Sequence, residues 1–187
     1  YTAVVGLHSR SGAGKDAVVS REVKENRQYG LELVSRGYVV LAPDALTAGE
    51  RILQGSKAFE SKNFYDLHPD WTVVSKTIID HIQGIDLLCS LEVVDAGRIG
   101  AIGHSFGGYN AFFLAGLDER IRAYVCSCGF GSFYGDPRPT RWGKRDWYSH
   151  LPKINDYLSR YEFPFEFHEI AALAAPTPSF YYFGQQD

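Results

Sequence analysis

The chain has 187 residues, a formal net charge of −3 and a sequence pI of about 6.1. A mildly acidic chain with scattered Lys and Arg lacks the basic patches that bind nucleic acid or an anionic membrane surface, so we expect neither partner. Hydrophobic residues make up 45% of the sequence, enough for a core, but no apolar run approaches the roughly 20 residues that span a bilayer.

Strands and helices are predicted to alternate along the chain. Short apolar runs bounded by turn residues predict strands over residues 2–7, 38–42, 98–102, 121–127 and 179–183. Apolar residues at helical spacing predict helices over residues 16–36, 71–91, 106–117, 154–161 and 167–173. Residues 45–70 have no clear period, and residues 130–165 form an excursion rich in Gly, Pro and aromatic residues. This order indicates one α/β domain over residues 1–187, with a mostly parallel sheet and helices on both faces.

Both ends of the chain fall in or directly after predicted strands. The sequence contains no Met, opens at Tyr1 beside an apolar run, and stops at Asp187 just after the last strand. We therefore expect the domain to be partial, with further segments before and after it.

The cysteines are odd in number. Cys126 and Cys128 lie two apart on one predicted strand, which is poor geometry for a disulfide, and Cys89 stands alone. We expect three free thiols, which favours a reducing compartment such as the cytoplasm. No His/Cys cluster has the spacing of metal ligands, and we expect neither a metal nor an organic cofactor.

The most informative motif is Gly-x-Ser-x-Gly at residues 103–107, between a predicted strand and a predicted helix. A serine on so sharp a turn needs a strained backbone, and side chains two residues to either side would collide. The turn raises the serine Oγ above the sheet, and the following helix points its N-terminus at it, which favours developing negative charge. The motif predicts Ser105 as a nucleophile.

With this motif, the sequence resembles the α/β-hydrolases of the dienelactone hydrolase and acetyl xylan esterase type. The matching stretches occur in order along nearly the whole chain, at residues 37–44, 94–100, 103–108, 117–123, 164–173 and 176–178. The resemblance implies an α/β-hydrolase fold. It also implies a serine esterase that cleaves carboxylic esters through an acyl-enzyme, with a small-molecule or carbohydrate (acetyl) ester as substrate.

Acyl transfer also needs two hydrogen-bond donors for the oxyanion. The first is expected to be the backbone N–H of Phe106, the residue after the nucleophile. The second is expected from the loop after the first strand, where position favours the backbone N–H of Arg10. Similar hydrolases usually carry His-Gly in this loop, whereas this chain has Ser9 after His8.

The resemblance places the catalytic acid at Asp187, since similar hydrolases carry it in Gly-x-x-Asp after a strand, here Gly184 to Asp187. Asp136 is a weaker candidate. Chain order in this fold puts the catalytic histidine after the acid and hence beyond residue 187. Of the visible histidines, His168 remains a minor candidate for the base. His8 is expected to support its loop, and the side chain of His104, beside the nucleophile, is expected to point elsewhere. The remaining three are expected to be surface or helix histidines: His68, His81 and His150.

The sequence leaves both the substrate and the functional class of the protein partly open. The aromatic residues of the excursion suit either a sugar-binding surface or a cap on the core: Phe130, Phe133, Tyr134, Trp142, Trp147 and Tyr148.

Residues 9–16 resemble a phosphate-binding P-loop, but Ser9 and Asp16 stand where such a loop needs Gly and Ser/Thr. A non-catalytic hydrolase-fold protein and a prolyl-oligopeptidase-like peptidase are further alternatives. The sequence does not predict the oligomeric state.

Overall fold

Five parallel strands form one sheet in this computed structural model, which describes residues 1–22, 27–145 and 148–184. The strand order is β2-β1-β3-β4-β5. The strands are β1 (Ala3–Leu7), β2 (Val39–Leu41), β3 (Ile99–His104), β4 (Ile121–Ser127) and β5 (Ser179–Tyr182). All pairings are parallel, so the carboxyl ends of the strands meet at one edge of the sheet.

The described helices connect these strands and flank the sheet. They are α1 (Asp16–Val19), α2 (Tyr29–Ser35), α3 (Lys62–Leu67), α4 (Val73–Ser90), α5 (Phe106–Leu117), α6 (Asn155–Ser159) and α7 (Phe167–Leu173). Short 3-10 turns add Gly49–Arg51, Pro139–Trp142 and Pro152–Ile154. The α/β domain with a parallel sheet that the sequence predicted is confirmed.

The main core lies between the sheet and the helices α4, α5 and α7. Alternate residues of β3, Ile99 and Ala101, are buried against this layer, while Gly100 and Ile102 face the other side. Helix α5 is buried almost all round, as expected for an apolar helix in the centre of an α/β domain. On the opposite face, α1 and α2 approach β1 at Gly6.

Helix α4, with 18 residues, is the longest helix that the structure describes. The Thr72 hydroxyl accepts the Ser75 N–H at 2.9 Å, and the Ser75 hydroxyl accepts the Thr72 N–H at 3.1 Å, which forms a capping box. Its apolar residues at helical spacing, including Ile78 and Ile85, are buried in the main core. The helix predicted over residues 71–91 is thus confirmed as Val73–Ser90.

Two predictions for the first half of the chain are wrong. The single helix expected over residues 16–36 is interrupted, because Ser20 is extended and α2 begins only at Tyr29. The two short helices pack against each other where Gly30 meets Val18, and any Cβ on Gly30 would lie 2.9 Å from a Val18 methyl group. The segment 45–70, expected to be irregular, contains α3, whose Phe64 is buried.

The excursion over residues 130–165 consists mainly of loops and short helical turns. Phe133 and Leu158 anchor it in the core. Cys89, Cys126 and Cys128 all lie in the described part of the chain, where no disulfide joins them. Among the helices that the structure describes, none is long and apolar enough to cross a membrane.

Candidate functional site

Ser105 lies at the turn between β3 and α5. The strand ends at His104 and the helix begins at Phe106, so Ser105 is the turn. Its φ of 54° and ψ of −115° are unusual for a residue with a side chain and cost about 1–3 kcal/mol. The Ser105 N–H donates to the Ser127 carbonyl of β4 at 2.7 Å, which ties the turn to the neighbouring strand.

The two glycines around Ser105 are required by sterics. A Cβ on Gly103 would lie 2.2 Å from the carbonyl carbon of Gly107, and a Cβ on Gly107 would lie 1.9 Å from the Leu7 carbonyl oxygen. Both obstacles are backbone atoms that cannot rotate aside. The chain can therefore pass from β3 into α5 with this sharp turn only if both positions lack a side chain.

His8 fixes the loop that carries Arg10. Its Nε2 accepts the backbone N–H of Ala45 at 2.9 Å, so the ring proton sits on Nδ1 and is donated to the Ser9 carbonyl at 2.7 Å. Burial lowers the pKa of His8, which favours this neutral form. The supporting role expected for His8 agrees with this geometry.

A cavity of about 810 Å³ opens at the carboxyl edge of the sheet, above Ser105. Ser105 is half-buried and lines this cavity together with Phe106 and Arg10. Phe106 is the first residue of α5, and helix geometry leaves its N–H without an acceptor inside the helix. The structure thus brings three of the four predicted site residues to one cavity, and Asp187 lies outside the residues that it describes.

The excursion contributes one wall of the cavity. Trp142 and Tyr148 line it, whereas Phe133 is buried in the core and Tyr134 is 83% exposed. Trp147 lies outside the described residues. Tyr148 is itself only 1% exposed, so Phe133 and Tyr148 fit the interpretation as a cap on the core, and the sugar-binding surface stays a prediction.

Asp136, the weaker candidate for the catalytic acid, has a different set of partners. Its carboxylate accepts hydrogen bonds from the Arg141 Nε and from the Trp142 Nε1, the latter at 2.9 Å, and from the Arg138 backbone N–H at 2.9 Å. It is buried and does not line the cavity. Asp136 holds the tryptophan of the cavity wall in place, and none of its hydrogen bonds is to a histidine.

His150 was expected at the surface or on a helix, and this expectation is wrong, because it is buried in a non-helical segment. It is 7% exposed and lines the Ser105 cavity, beside the rings of Trp142 and Tyr148 at 5.3 and 4.9 Å. Burial lowers its pKa to about 3, and the charges of Arg145 and Arg10 add to this effect. A histidine with so low a pKa is a poor general base at neutral pH.

Tyr109 is a second cavity residue that sequence reasoning missed. It follows Ser105 by four residues, one turn into α5, and this spacing could have placed both on one side of the helix. For His150 no such signal existed, because the excursion has no periodicity.

Among the described residues, no hydrogen bond joins the Ser105 hydroxyl to a histidine, and His168 is exposed on α7, away from the cavity lining.

The P-loop interpretation of residues 9–16 does not fit the geometry. The Lys15 ammonium donates to Glu50 at 2.7 Å and to Asp44 at 3.3 Å, and Asp44 also accepts the Lys15 backbone N–H. Two carboxylates therefore occupy the place where a phosphate would have to bind. Within the described residues, no group of three or more His, Cys, Asp or Glu side chains could hold a metal ion.

Acidification is expected to destabilise the protein, because two buried histidines are neutral in the folded state. Burial lowers the pKa of both His81 and His150 to about 3, from an ordinary value of 6.5. Between about pH 3 and 6.5 the unfolded chain therefore binds more protons, so the free energy of unfolding decreases as the pH falls. We expect Tm, followed by circular dichroism, to be roughly 5–15 °C lower at pH 5 than at pH 7.

The variant His81→Leu isolates one of these two contributions. Neither buried ring nitrogen of His81 has a hydrogen-bond partner within the part of the chain that the structure describes. Leucine should therefore raise Tm at pH 7 and remove about half of the pH dependence. His68→Leu is the matched control, since His68 is exposed. An unchanged pH dependence in His81→Leu would contradict the neutral buried state.

Comparison with known proteins gives one family and several relatives. Residues 11–186 match the family model described as the alpha/beta hydrolase family. YtaP of Bacillus subtilis (strain 168), named as a hydrolase, is 30% identical over 190 residues, which cover 99% of this chain and 60% of YtaP. The chain therefore spans less than two thirds of the length of this relative.

Two further proteins are similar over different lengths. Dipeptidyl-peptidase 5 of Porphyromonas gingivalis (strain ATCC 33277) is 29% identical over 104 residues, which cover 54% of this chain and 14% of the peptidase. A crystal structure from Bacteroides fragilis NCTC 9343, assigned as an acetyl xylan esterase, superposes with a TM-score of 0.65 at 20% identity. That match covers 96% of this chain and 51% of the other, and it reflects a shared fold.

Proposed function

Because the chain belongs to the alpha/beta hydrolase family, we propose that it acts as a serine esterase with Ser105 as the nucleophile. The observation that carries this proposal is the strained turn at Ser105, which is half-buried at the cavity between β3 and α5. Strained backbone of this kind persists where the surrounding structure enforces it, and it concentrates at functional sites. Here Gly103 and Gly107 make it sterically possible.

In the first step, the Ser105 Oγ attacks the ester carbonyl carbon while a histidine takes its proton. The new O–C bond turns the carbonyl oxygen into an oxyanion. When the carbonyl re-forms, the bond to the alcohol oxygen breaks, and the histidine gives its proton to the leaving alcohol. We assign the histidine to the sequence after Asp187, and Asp187 to its orientation. Both assignments follow the chain order of the family.

The oxyanion needs donors that are in place before the charge develops. We assign the backbone N–H groups of Phe106 and Arg10 to this role. Phe106 opens a 12-residue helix whose N-terminus favours negative charge. His8 stabilises the loop of Arg10 through its hydrogen bonds to Ser9 and Ala45.

In the second step, water attacks the acyl-enzyme, and the same N–H groups stabilise the second oxyanion before the carboxylic acid leaves.

We assign small-molecule or carbohydrate esters of carboxylic acids as substrates. Support comes from the fold shared with the Bacteroides fragilis protein assigned as an acetyl xylan esterase and from the aromatic wall of the cavity. The ring of Trp142, which is half-buried in this wall, suits the apolar face of a sugar ring. The similarity to dipeptidyl-peptidase 5, over about half of this chain, favours peptide cleavage as the second candidate.

The two candidates are separated by their substrates. We expect the protein to hydrolyse 4-nitrophenyl acetate and acetylated xylo-oligosaccharides, and to leave a prolyl-4-nitroanilide uncleaved. Preferential cleavage of the nitroanilide would replace the esterase by a peptidase. Activity on none of these substrates, in a protein that carries this chain with the sequence that follows it, would favour a non-catalytic hydrolase-fold protein.

A further inference from the structure

Two polar groups in the wall of the Ser105 cavity lack hydrogen-bond partners among the described residues. The Tyr109 hydroxyl and the His150 Nδ1 are both buried and unpaired. The two residues are only 2% and 7% exposed, and both line the cavity. Because an unpaired buried polar group destabilises the folded state, two of them in one cavity wall need an explanation outside the fold.

These two groups are neighbours on an aromatic platform. The rings of Tyr109 and His150 lie 5.4 Å apart. Trp142 stacks on Tyr109 at 5.7 Å, with 17° between the planes, and meets the His150 ring at 5.3 Å. The rings of Tyr109, Trp142 and His150 therefore form one aromatic cluster in the cavity wall, and this cluster carries both unpaired polar groups.

The protonation states of the pair limit what it can bind. Burial, with the nearby charges of Arg145 and Arg10, lowers the pKa of His150 to about 3, so its imidazole is neutral. Burial likewise raises the pKa of Tyr109 well above its ordinary value, so its hydroxyl keeps the proton. A neutral imidazole and a phenol each offer both a donor and an acceptor. A hydroxyl group, which also donates and accepts, can bond both at once.

We propose that Tyr109 and His150 form a subsite for a free hydroxyl group of the substrate, so that the cavity selects esters of polyols such as carbohydrates over esters of simple alcohols. The inference rests on the proposed esterase function and names its selectivity residues. A site built to bond a hydroxyl discriminates against the analogue that lacks it, because its own polar groups then stay unpaired.

The selectivity is tested with two esters that differ by one hydroxyl group, trans-2-hydroxycyclohexyl acetate and cyclohexyl acetate. We expect the protein to favour the hydroxylated ester in kcat/KM, and Tyr109→Phe to lower that ratio by about tenfold. Tyr109→Phe removes only the unpaired hydroxyl, so Tm should not fall. His150→Phe should lower the same ratio, and His150→Gln, which keeps a donor and an acceptor, should restore part of it.

The matched control is Tyr124→Phe, which removes a buried hydroxyl that pairs with the Tyr181 hydroxyl at 2.6 Å and does not line the cavity. It should lower Tm slightly and leave the ratio of the two esters unchanged. If Tyr109→Phe lowers kcat/KM for both esters equally, or the ratio follows Tm across the variants, the two residues have a structural role and the subsite is refuted.

A binding experiment tests the subsite in the absence of ester hydrolysis. In Ser105→Ala protein labelled with ¹⁵N, adding trans-cyclohexane-1,2-diol should shift the ring-nitrogen resonances of His150, and adding cyclohexyl acetate should not. An unmoved His150 signal at saturating diol overturns the subsite even if the protein is an active esterase. A shifted signal in a protein that hydrolyses neither ester supports the hydroxyl subsite and removes the proposed esterase function.

Discussion

Replacing Ser105 with alanine is expected to abolish ester hydrolysis and covalent labelling by a fluorophosphonate. The alanine removes the atom that forms the acyl-enzyme, so kcat should fall by on the order of 10⁴–10⁶-fold. The fold should persist, because the positive φ of Ser105 is imposed by its neighbours and the Ser105 N–H keeps its bond to Ser127. Intact-mass spectrometry should find one adduct on the native protein and none on the variant.

Ser11→Ala is the control for this experiment. Ser11 also lines the cavity, but it lies on a loop and not at a strand-to-helix turn. It should keep the adduct. An adduct that persists in Ser105→Ala would move the nucleophile to another residue. A folded native protein that takes no label, even with the sequence after Asp187 present, would exclude an activated serine and with it the esterase.

Gly107→Ala is expected to have the largest effect on stability. A Cβ at this position would lie 1.9 Å from the carbonyl oxygen and 2.6 Å from the carbonyl carbon of Leu7. Since β1 is the neighbour of β3 in the sheet, the chain can relieve the overlap only by separating α5 from the sheet. We expect a loss of about 4 kcal/mol or more, the range of severe core substitutions. Urea unfolding followed by circular dichroism measures it.

The matched control is Gly12→Ala, where the added Cβ would make an ordinary contact of 3.5 Å with Ala58. It should change the free energy of unfolding by less than about 1 kcal/mol. A Gly107→Ala protein as stable as Gly12→Ala would mean that α5 can move away from β1 without cost. The steric account of the glycines in the motif would then be wrong.

The sequence predicted best those elements that are specified locally. Helix α5 begins and ends at the predicted residues, because an apolar run, a turn and a second apolar run follow each other without ambiguity at Ser105. Strand β4 also has its predicted bounds. The same strand–turn–helix order is what makes the Gly-x-Ser-x-Gly motif specific. Ser105, Phe106 and Arg10 could therefore be named from the sequence and share one cavity.

Features that depend on distant contacts were not predictable in this way. The break between α1 and α2 depends on Gly30 packing on Val18, which no local pattern encodes. His150 reaches the cavity because the excursion folds back over the sheet, and an aperiodic segment carries no signal for its path. Asp187, by contrast, was assigned from family resemblance alone, and its role remains a prediction.

The wall that the excursion adds to the cavity combines contacts within the excursion and contacts to the core, where Phe133 and Leu158 are buried. Asp136 bonds Arg141 and Trp142, which lie five and six residues further along the same segment, and Trp142 contacts His150. Ser105, in contrast, belongs to the strand–helix framework. Evolution or a protein engineer could therefore vary the cavity-facing residues of the excursion while Phe133 and Leu158 keep it seated on the core. The shape of the cavity would then change without any change in the strand–helix turn that carries Ser105.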